Sequence, residues 1–198
     1  MSVQHIDLDL TTIGTPLAWD RIFERPGPVH IDIGSGKGKF LLEIAKALPE
    51  TNFLAVERAA KYHQMVCEKA AKRGIGNVRL LRTTAEDLLF RLVPESSVSV
   101  LYVLFPDPWP KKRHHKRRFI KPEVTSQMVR ILEPNGRLLV KSDHPGYAEV
   151  IGEVLRNTPG LTTIDPAEAF KNLPLTGFEG KYLAEGRQIH AFAMVRSD

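Results

Sequence analysis

Asp107 and Trp109 stand among three prolines, in Leu104-Phe105-Pro106-Asp107-Pro108-Trp109-Pro110. Eight basic or histidine residues follow without a break: Lys111-Lys112-Arg113-His114-His115-Lys116-Arg117-Arg118. Proline fixes φ and removes a backbone donor, so the first of these stretches is a stiff loop, neither helix nor strand. A carboxylate accepts hydrogen bonds from ring N–H and amino donors, an indole offers a stacking plane, and a cationic run meets phosphates. Held together in one stiff loop, the three suit a guanine base and its phosphates.

A second constellation lies earlier, in Val29-His30-Ile31-Asp32-Ile33-Gly34-Ser35-Gly36-Lys37-Gly38. An apolar run ends in an acid and then in glycines, which let a backbone turn tightly and approach a ligand closely. Glu57 closes the next apolar run about 20 residues on, where an acid meets ribose hydroxyls in such folds. A dinucleotide loop would carry a further glycine three residues after Gly36, and that place is Lys39. The G-x-G-x-G spacing, with Asp32 before it, resembles the first motif of S-adenosylmethionine methyltransferases, whose cofactor has no pyrophosphate. The resemblance implies that Asp32 sits near the ammonium of that cofactor.

The elements that must position these residues follow from periodicity. Val29 to Ile33, Phe53 to Val56, Val78 to Leu81, Val98 to Phe105 and Arg137 to Lys141 read as strands. Phe40, Leu41, Ile44, Ala45 and Leu48 recur at helical spacing. Ala60 to Arg73, Ala85 to Leu92, Pro122 to Leu132 and Tyr147 to Arg156 read as further helices, and Pro134-Asn135-Gly136 as a turn. Leu161 to Ile164 and Ile189 to Val195 read as late strands. Alternating strands and helices predict an α/β fold with a doubly wound, mostly parallel sheet; the resemblance to methyltransferases implies that it is Rossmann-like with an antiparallel last strand. The expected organisation is a single domain over residues 1–198. Residues 1–28 form an approach segment with a short helix around Ala18 to Phe23, and 29–198 form the core, with a small insertion near 165–186.

Composition narrows the function. The 198 residues are 42% hydrophobic, enough for one sizeable core. The formal net charge is +5, from 28 Lys and Arg against 23 Asp and Glu. Six of the cations lie in Lys111–Arg118; without them 22 would face 23. The positive excess is therefore one patch, which favours a polyanionic partner. Cys67, the single cysteine, excludes an internal disulfide and reads as a small core residue beside Val66 and Ala70. No apolar run is long enough to span a bilayer, and the start lacks signal-peptide features, so a cytoplasmic protein is expected. His63 reads as a surface helix residue. No His-and-acid cluster suggests a metal, and none is expected.

From Phe105 through Arg118 the chain resembles the signature of the tRNA (guanine-N7-)-methyltransferases, and the resemblance extends from about Val29 to the end. Lys141-Ser142-Asp143 and Thr176-Gly177-Phe178-Glu179 match further family stretches. The resemblance implies a monomer or homodimer that transfers a methyl group from S-adenosylmethionine to N7 of a guanine in the tRNA variable loop. It implies a cofactor pocket from Asp32, Gly34, Gly36, Gly38, Glu57 and Thr84, with the catalytic Asp107 at the junction of cofactor and base. Lys111, Asp143, Thr176, Gly177, Phe178 and Glu179 would meet the RNA, which docks on Lys111–Arg118. Two departures stand out: Thr84 replaces the usual Asp or Asn, and the N-terminus lacks an arginine-rich arm.

The chemistry agrees with the residues. Guanine N7 is a neutral nitrogen with a free lone pair and needs no base to attack a sulfonium methyl. Methylation leaves the ring cationic, so a site needs alignment and negative charge; Asp107, Asp143 and Glu179 supply acceptors. Plainer readings compete: Asp143 as a helix N-cap, Thr176 to Glu179 as a capping box, Asp107 as a turn former and the basic run as a solvated face. The rival functions are methylation of another nucleic-acid atom and a non-catalytic RNA-binding module. Against amino methylation, Asp107-Pro108-Trp109 lacks the second proline of an Asp-Pro-Pro-aromatic loop.

Overall fold

Strands that are apolar at successive positions bury both faces and demand helices on both sides of a sheet. The structure, a computed structural model describing residues 2–197, shows that arrangement. In chain order the elements are α1 (Val3–Ile6), β1 (Asp7–Leu8), α2 (Trp19–Ile22), β2 (Val29–Ile33), α3 (Lys39–Ala47), β3 (Asn52–Val56), α4 (Ala60–Lys72) and β4 (Val78–Leu81). Then come α5 (Ala85–Asp87), β5 (Val98–Leu104), α6 (Pro122–Ile131), β6 (Leu132–Ser142), α7 (Pro145–Arg156), β7 (Leu161–Thr163), α8 (Pro166–Ala169), α9 (Gly177–Ala184) and β8 (His190–Arg196). The eight-stranded sheet has the order β1-β4-β3-β2-β5-β6-β8-β7. All pairings are parallel except those of β8 with β6 and β7.

Residues on β2, β3 and β5 divide by parity. Ile31, Ile33, Leu54, Val56, Leu101 and Val103 join Met128 of α6 and Tyr147 of α7 in one core layer. Phe53, Ala55 and Tyr102 join Phe40 of α3 and Val66 of α4 in the other. The strand order reverses between β2 and β5, which pair directly from His30 with Val100 to Ile33 with Val103. In open α/β sheets ligands bind outside the carboxyl ends of strands at such a reversal.

Three local expectations are corrected. The segment before Val29 does more than approach the sheet: β1 adds an edge strand beside β4, and Leu17, Ile22 and Phe23 are core residues. Pro134-Asn135-Gly136 does not precede a strand but bulges within β6. Val98 pairs with Leu132 and Val100 with Arg137, so two steps on β5 face five on β6. Asn135 takes φ 64°, and a Cβ on Gly136 would lie 2.8 Å from the Glu133 carbonyl, so the bulge needs glycine there. The helix expected over Ala85 to Leu92 is α only to Asp87 and opens into a π-turn over Leu88–Leu92. Arg130 Nη2 donates to the Leu89 and Val93 carbonyls, stabilising that wide turn.

Candidate active site

The glycine loop leaves β2 at Ile33 and enters α3 through three left-handed residues, Gly34, Gly36 and Gly38, with φ of 77°, 53° and 75°. Their roles differ. A Cβ on Gly38 would lie 2.8 Å from Val66 Cγ2, so this glycine lets α3 and α4 pack. A Cβ on Gly34 would meet nothing within 4 Å, and one on Gly36 only the Gly34 carbonyl at 3.9 Å. Those two positions face open space, as a ligand cradle requires. Gly36 N–H donates to Glu57 Oε2 (2.9 Å) and Ala59 N–H to Glu57 Oε1 (2.8 Å), so the carboxylate at the end of β3 is fixed against the loop.

Asp32 is 4% exposed beneath this loop. Burial, and then the neighbouring Glu57 charge, push its carboxyl pKa up to about 7. Ser35 Oγ is buried without a hydrogen-bond partner. A raised carboxyl and an orphaned hydroxyl beside two open glycines form a polar cradle that suits a cationic, hydroxyl-bearing small molecule. S-adenosylmethionine, with its ammonium and ribose, has that character.

The loop after β5 lies beside this cradle because β5 pairs with β2. Phe105 and Trp109 take positive φ, 60° and 43°, which non-glycine residues adopt only when their surroundings hold them there. The holding group is Arg118. It is 7% exposed, its Nε donates to the Pro108 carbonyl (2.9 Å), and its guanidinium lies 4.8 Å from the Tyr147 ring centre. Trp109 is half-buried between His114 (edge-on, 5.7 Å) and Arg117 (4.9 Å). Asp107 is exposed at the loop apex. Lys111, Lys112, Arg113, His115 and Lys116 are also exposed, on and before a 3-10 turn over Lys112–Arg117.

The insertion after β7 closes the other side. Lys39 Nζ donates to the Leu175 carbonyl (3.3 Å), and the Phe105 ring meets Tyr182 of α9 edge-on at 5.6 Å. Thr176 caps α9 by accepting from Glu179 N–H (2.8 Å). Glu179 is 5% exposed and its Oε1 accepts from Lys141 Nζ (2.5 Å). Phe178 is 56% exposed and stacks on Tyr182 (6.0 Å). Asp143 Oδ2 accepts from Arg187 Nη1 (2.8 Å), and Arg187 lies over the Tyr182 ring (4.5 Å). Burial raises the Tyr182 pKa, and the charges of Asp143 and Asp107 add to the rise.

Asp32, the glycines, Glu57, Asp107, Lys111, Asp143 and Thr176 to Glu179 therefore gather at one end of the sheet. Thr84 lies at the carboxyl end of neighbouring β4, where its hydroxyl accepts from Asp87 N–H (3.1 Å) as the cap of α5. Several plain readings are settled. The cap of α7 is His144, not Asp143, and Thr176 is indeed a cap. Glu179 does not close a capping box, because Lys141 takes its carboxylate. Arg118 is not part of a solvated cationic face. Tyr182 and Arg187 escaped sequence reading, since nothing in their spacing points to the β5 loop, and the pairing of Lys141 with Glu179 was likewise not foreseen.

Two further corrections concern α4. His63 is 3% exposed, not a surface residue, and burial lowers its pKa. Asp7, His63 and Cys67 form the His-and-acid cluster that the sequence did not suggest, with ligand atoms within 4.8 Å of one another. An open cleft of about 850 Å³, lined by Arg25, Lys46, Arg73 and Arg79 among others, touches none of the expected site residues. Among the described residues, no helix is long and apolar enough to cross a membrane.

Fold and site together define a Rossmann-like, S-adenosylmethionine-dependent methyltransferase. Residues 26–192 match the family model described as "Putative methyltransferase". A tRNA (guanine-N(7)-)-methyltransferase of Chromohalobacter salexigens is 38% identical over 168 residues, 82% of this chain and 68% of that protein. One from Mycobacterium avium is 38% identical over 187 residues, 92% of this chain and 72% of that protein. Among solved structures, the 16S rRNA methyltransferase KamB superposes with TM-score 0.65 at 21% identity, over 91% of this chain and 93% of that one. TrmN from Thermus thermophilus gives 0.60 at 21% identity, over 89% and 46%; both likenesses concern the fold. The chain belongs to the tRNA (guanine-N(7)-)-methyltransferase family.

Proposed function

We propose that this protein transfers the methyl group of S-adenosylmethionine to N7 of a guanine in the variable loop of tRNA, in the cytoplasm. One juxtaposition carries the reading: Asp107 is exposed in the loop that joins β5, the direct partner of β2 and its glycine loop, to the cationic turn over Lys112–Arg117.

When bound, S-adenosylmethionine supplies an electrophilic sulfonium methyl. Gly34 and Gly36 would admit it, Asp32 would balance its ammonium, Glu57 would accept from ribose hydroxyls, and Ser35 would gain a partner. Gly38 serves by letting α3 pack. The Thr84 hydroxyl hydrogen stays available to an adenine acceptor, since only its oxygen is used by the cap. Asp107 would accept from the N1–H and N2 donors of guanine and so orient the base for attack by N7. Its negative charge then stabilises the methylated cation. Phe178 offers a stacking plane, Asp143, paired with Arg187, would meet the base, and Thr176 and Gly177 would line the approach. Glu179, committed to Lys141, positions α9. Lys111, Lys112, Arg113 and Lys116 meet RNA phosphates.

Asp107→Asn tests the reading. It turns one acceptor into a donor facing a guanine donor, which costs on the order of 2–4 kcal/mol. Initial rates of tRNA methylation should fall roughly thirtyfold to thousandfold, with the melting temperature unchanged because the residue is exposed. A wild-type rate would reduce Asp107 to a turn former.

A further inference from the structure

A second chemistry-bearing cluster lies at the β1 edge of the sheet. Asp7 begins β1 and pairs with Leu80 of β4. His63 and Cys67 stand four residues apart on α4 and therefore share one face of it. His63 Nε2 is 3.0 Å from Asp7 Oδ1 and 3.7 Å from Cys67 Sγ. The three ligand atoms lie within 4.8 Å of one another. His63 and Cys67 are 3% and 1% exposed, while the Asp7 side chain is half-exposed. An open cleft of about 820 Å³ adjoins them, lined also by Ala60, Gln64 and Arg82.

Bonds of about 2.0–2.3 Å to nitrogen, oxygen and sulfur place the donors of a tetrahedral metal about 3.3–3.6 Å apart. The two separations from His63 bracket that span. We propose that Asp7, His63 and Cys67 form a binding site for a divalent transition metal of the zinc class, with a fourth position open to the cleft. An imidazole, a thiolate and one carboxylate select such ions over magnesium or calcium, which take oxygen ligands. On binding, the Cys67 S–H bond breaks, its proton passes to water and a sulfur–metal bond forms. The Nε2 lone pair of His63 and an oxygen of Asp7 complete the protein ligands; no oxidation state changes. Two anionic ligands neutralise the ion, which lowers the cost of burial, and exposed Arg82 keeps its charge in solvent. The metal would bridge β1 to α4 and so fix the N-terminal segment to the sheet edge.

Cobalt(II) titration of the chelator-treated protein tests this. The expected result is a thiolate-to-cobalt charge-transfer band in the near ultraviolet that saturates at one equivalent and is displaced by zinc. Cys67→Ala should abolish the band. Asp7→Ala, which alters a half-exposed residue and leaves the core intact, should weaken cobalt binding beyond the roughly 10–100-fold that losing an outer-shell partner costs. Zinc should raise the melting temperature of the wild type and not of Asp7→Ala. No thiolate band, or unchanged cobalt affinity in Asp7→Ala, would overturn the assignment.

Discussion

Replacing Glu179 by Gln separates an anchoring role from a substrate-binding one. The carboxylate is 5% exposed and its Oε1 accepts from Lys141 Nζ, itself 4.4 Å from the Phe170 ring centre. Removing one charge of a buried pair costs about 3–5 kcal/mol, since the other charge is left uncompensated. Here the amide oxygen can still accept one hydrogen bond, and the Phe170 ring stabilises the ammonium by about 1 kcal/mol. A net loss of roughly 2–3 kcal/mol is expected, which lowers the melting temperature by about 4–12 °C in a chain of this size. Lys141→Met combined with Glu179→Leu should recover most of that loss, because an apolar pair leaves no buried charge. Circular-dichroism melts of the single and double variants provide the assay. A Glu179→Gln protein that melts with the wild type but binds tRNA more weakly would refute the anchoring role and make Glu179 an RNA contact.

Two other outcomes follow from the same geometry. Asp32 holds its proton in the folded protein up to about pH 7 and releases it near pH 4 when unfolded, so its contribution is complete below pH 4 and lost as pH rises through 7, by up to about 4 kcal/mol. Half-buried His30, whose pKa desolvation lowers to about 4, tilts stability the other way at lower pH. Denaturation midpoints from pH 4 to 8 should therefore be compared with Asp32→Asn, and identical slopes would remove Asp32 from the account. Cofactor affinity should rise over pH 6 to 7.5 in the wild type alone, as the ionised carboxylate meets the ammonium. Neutralising Lys112, Arg113 and Lys116, while sparing Arg117 and Arg118, should flatten the salt dependence of tRNA binding by about 2–3 logarithmic units per decade. An unchanged slope would mean that RNA docks elsewhere.

Much of the site was legible because its signals are local. The glycines and Asp32 sit at one strand-to-helix junction, and Asp107 directly follows an apolar run whose strand pairs beside β2. Parallel strands with both faces covered left their mark as apolar runs. What escaped reading depends on distant partners. Asp7 and His63 are separated by a complete strand–helix–strand passage, so neither suggests the other. Among the cations after Trp109, spacing does not reveal that Arg118 alone turns inward over Tyr147. Lys141 looks like an ordinary strand-end cation until α9 brings Glu179 against it. β1 is two residues long, too short for any alternation, and exists because β4 offers it an edge.

The central claim is methyl transfer to guanine N7 of tRNA. The most direct measurement incubates the purified protein with bulk tRNA lacking this modification and labelled S-adenosylmethionine, then digests the RNA and identifies the labelled nucleoside by chromatography and mass spectrometry. The account predicts label in 7-methylguanosine, abolished or strongly reduced by Asp107→Asn. Label in any other nucleoside, or none with a folded and cofactor-binding protein, would contradict it.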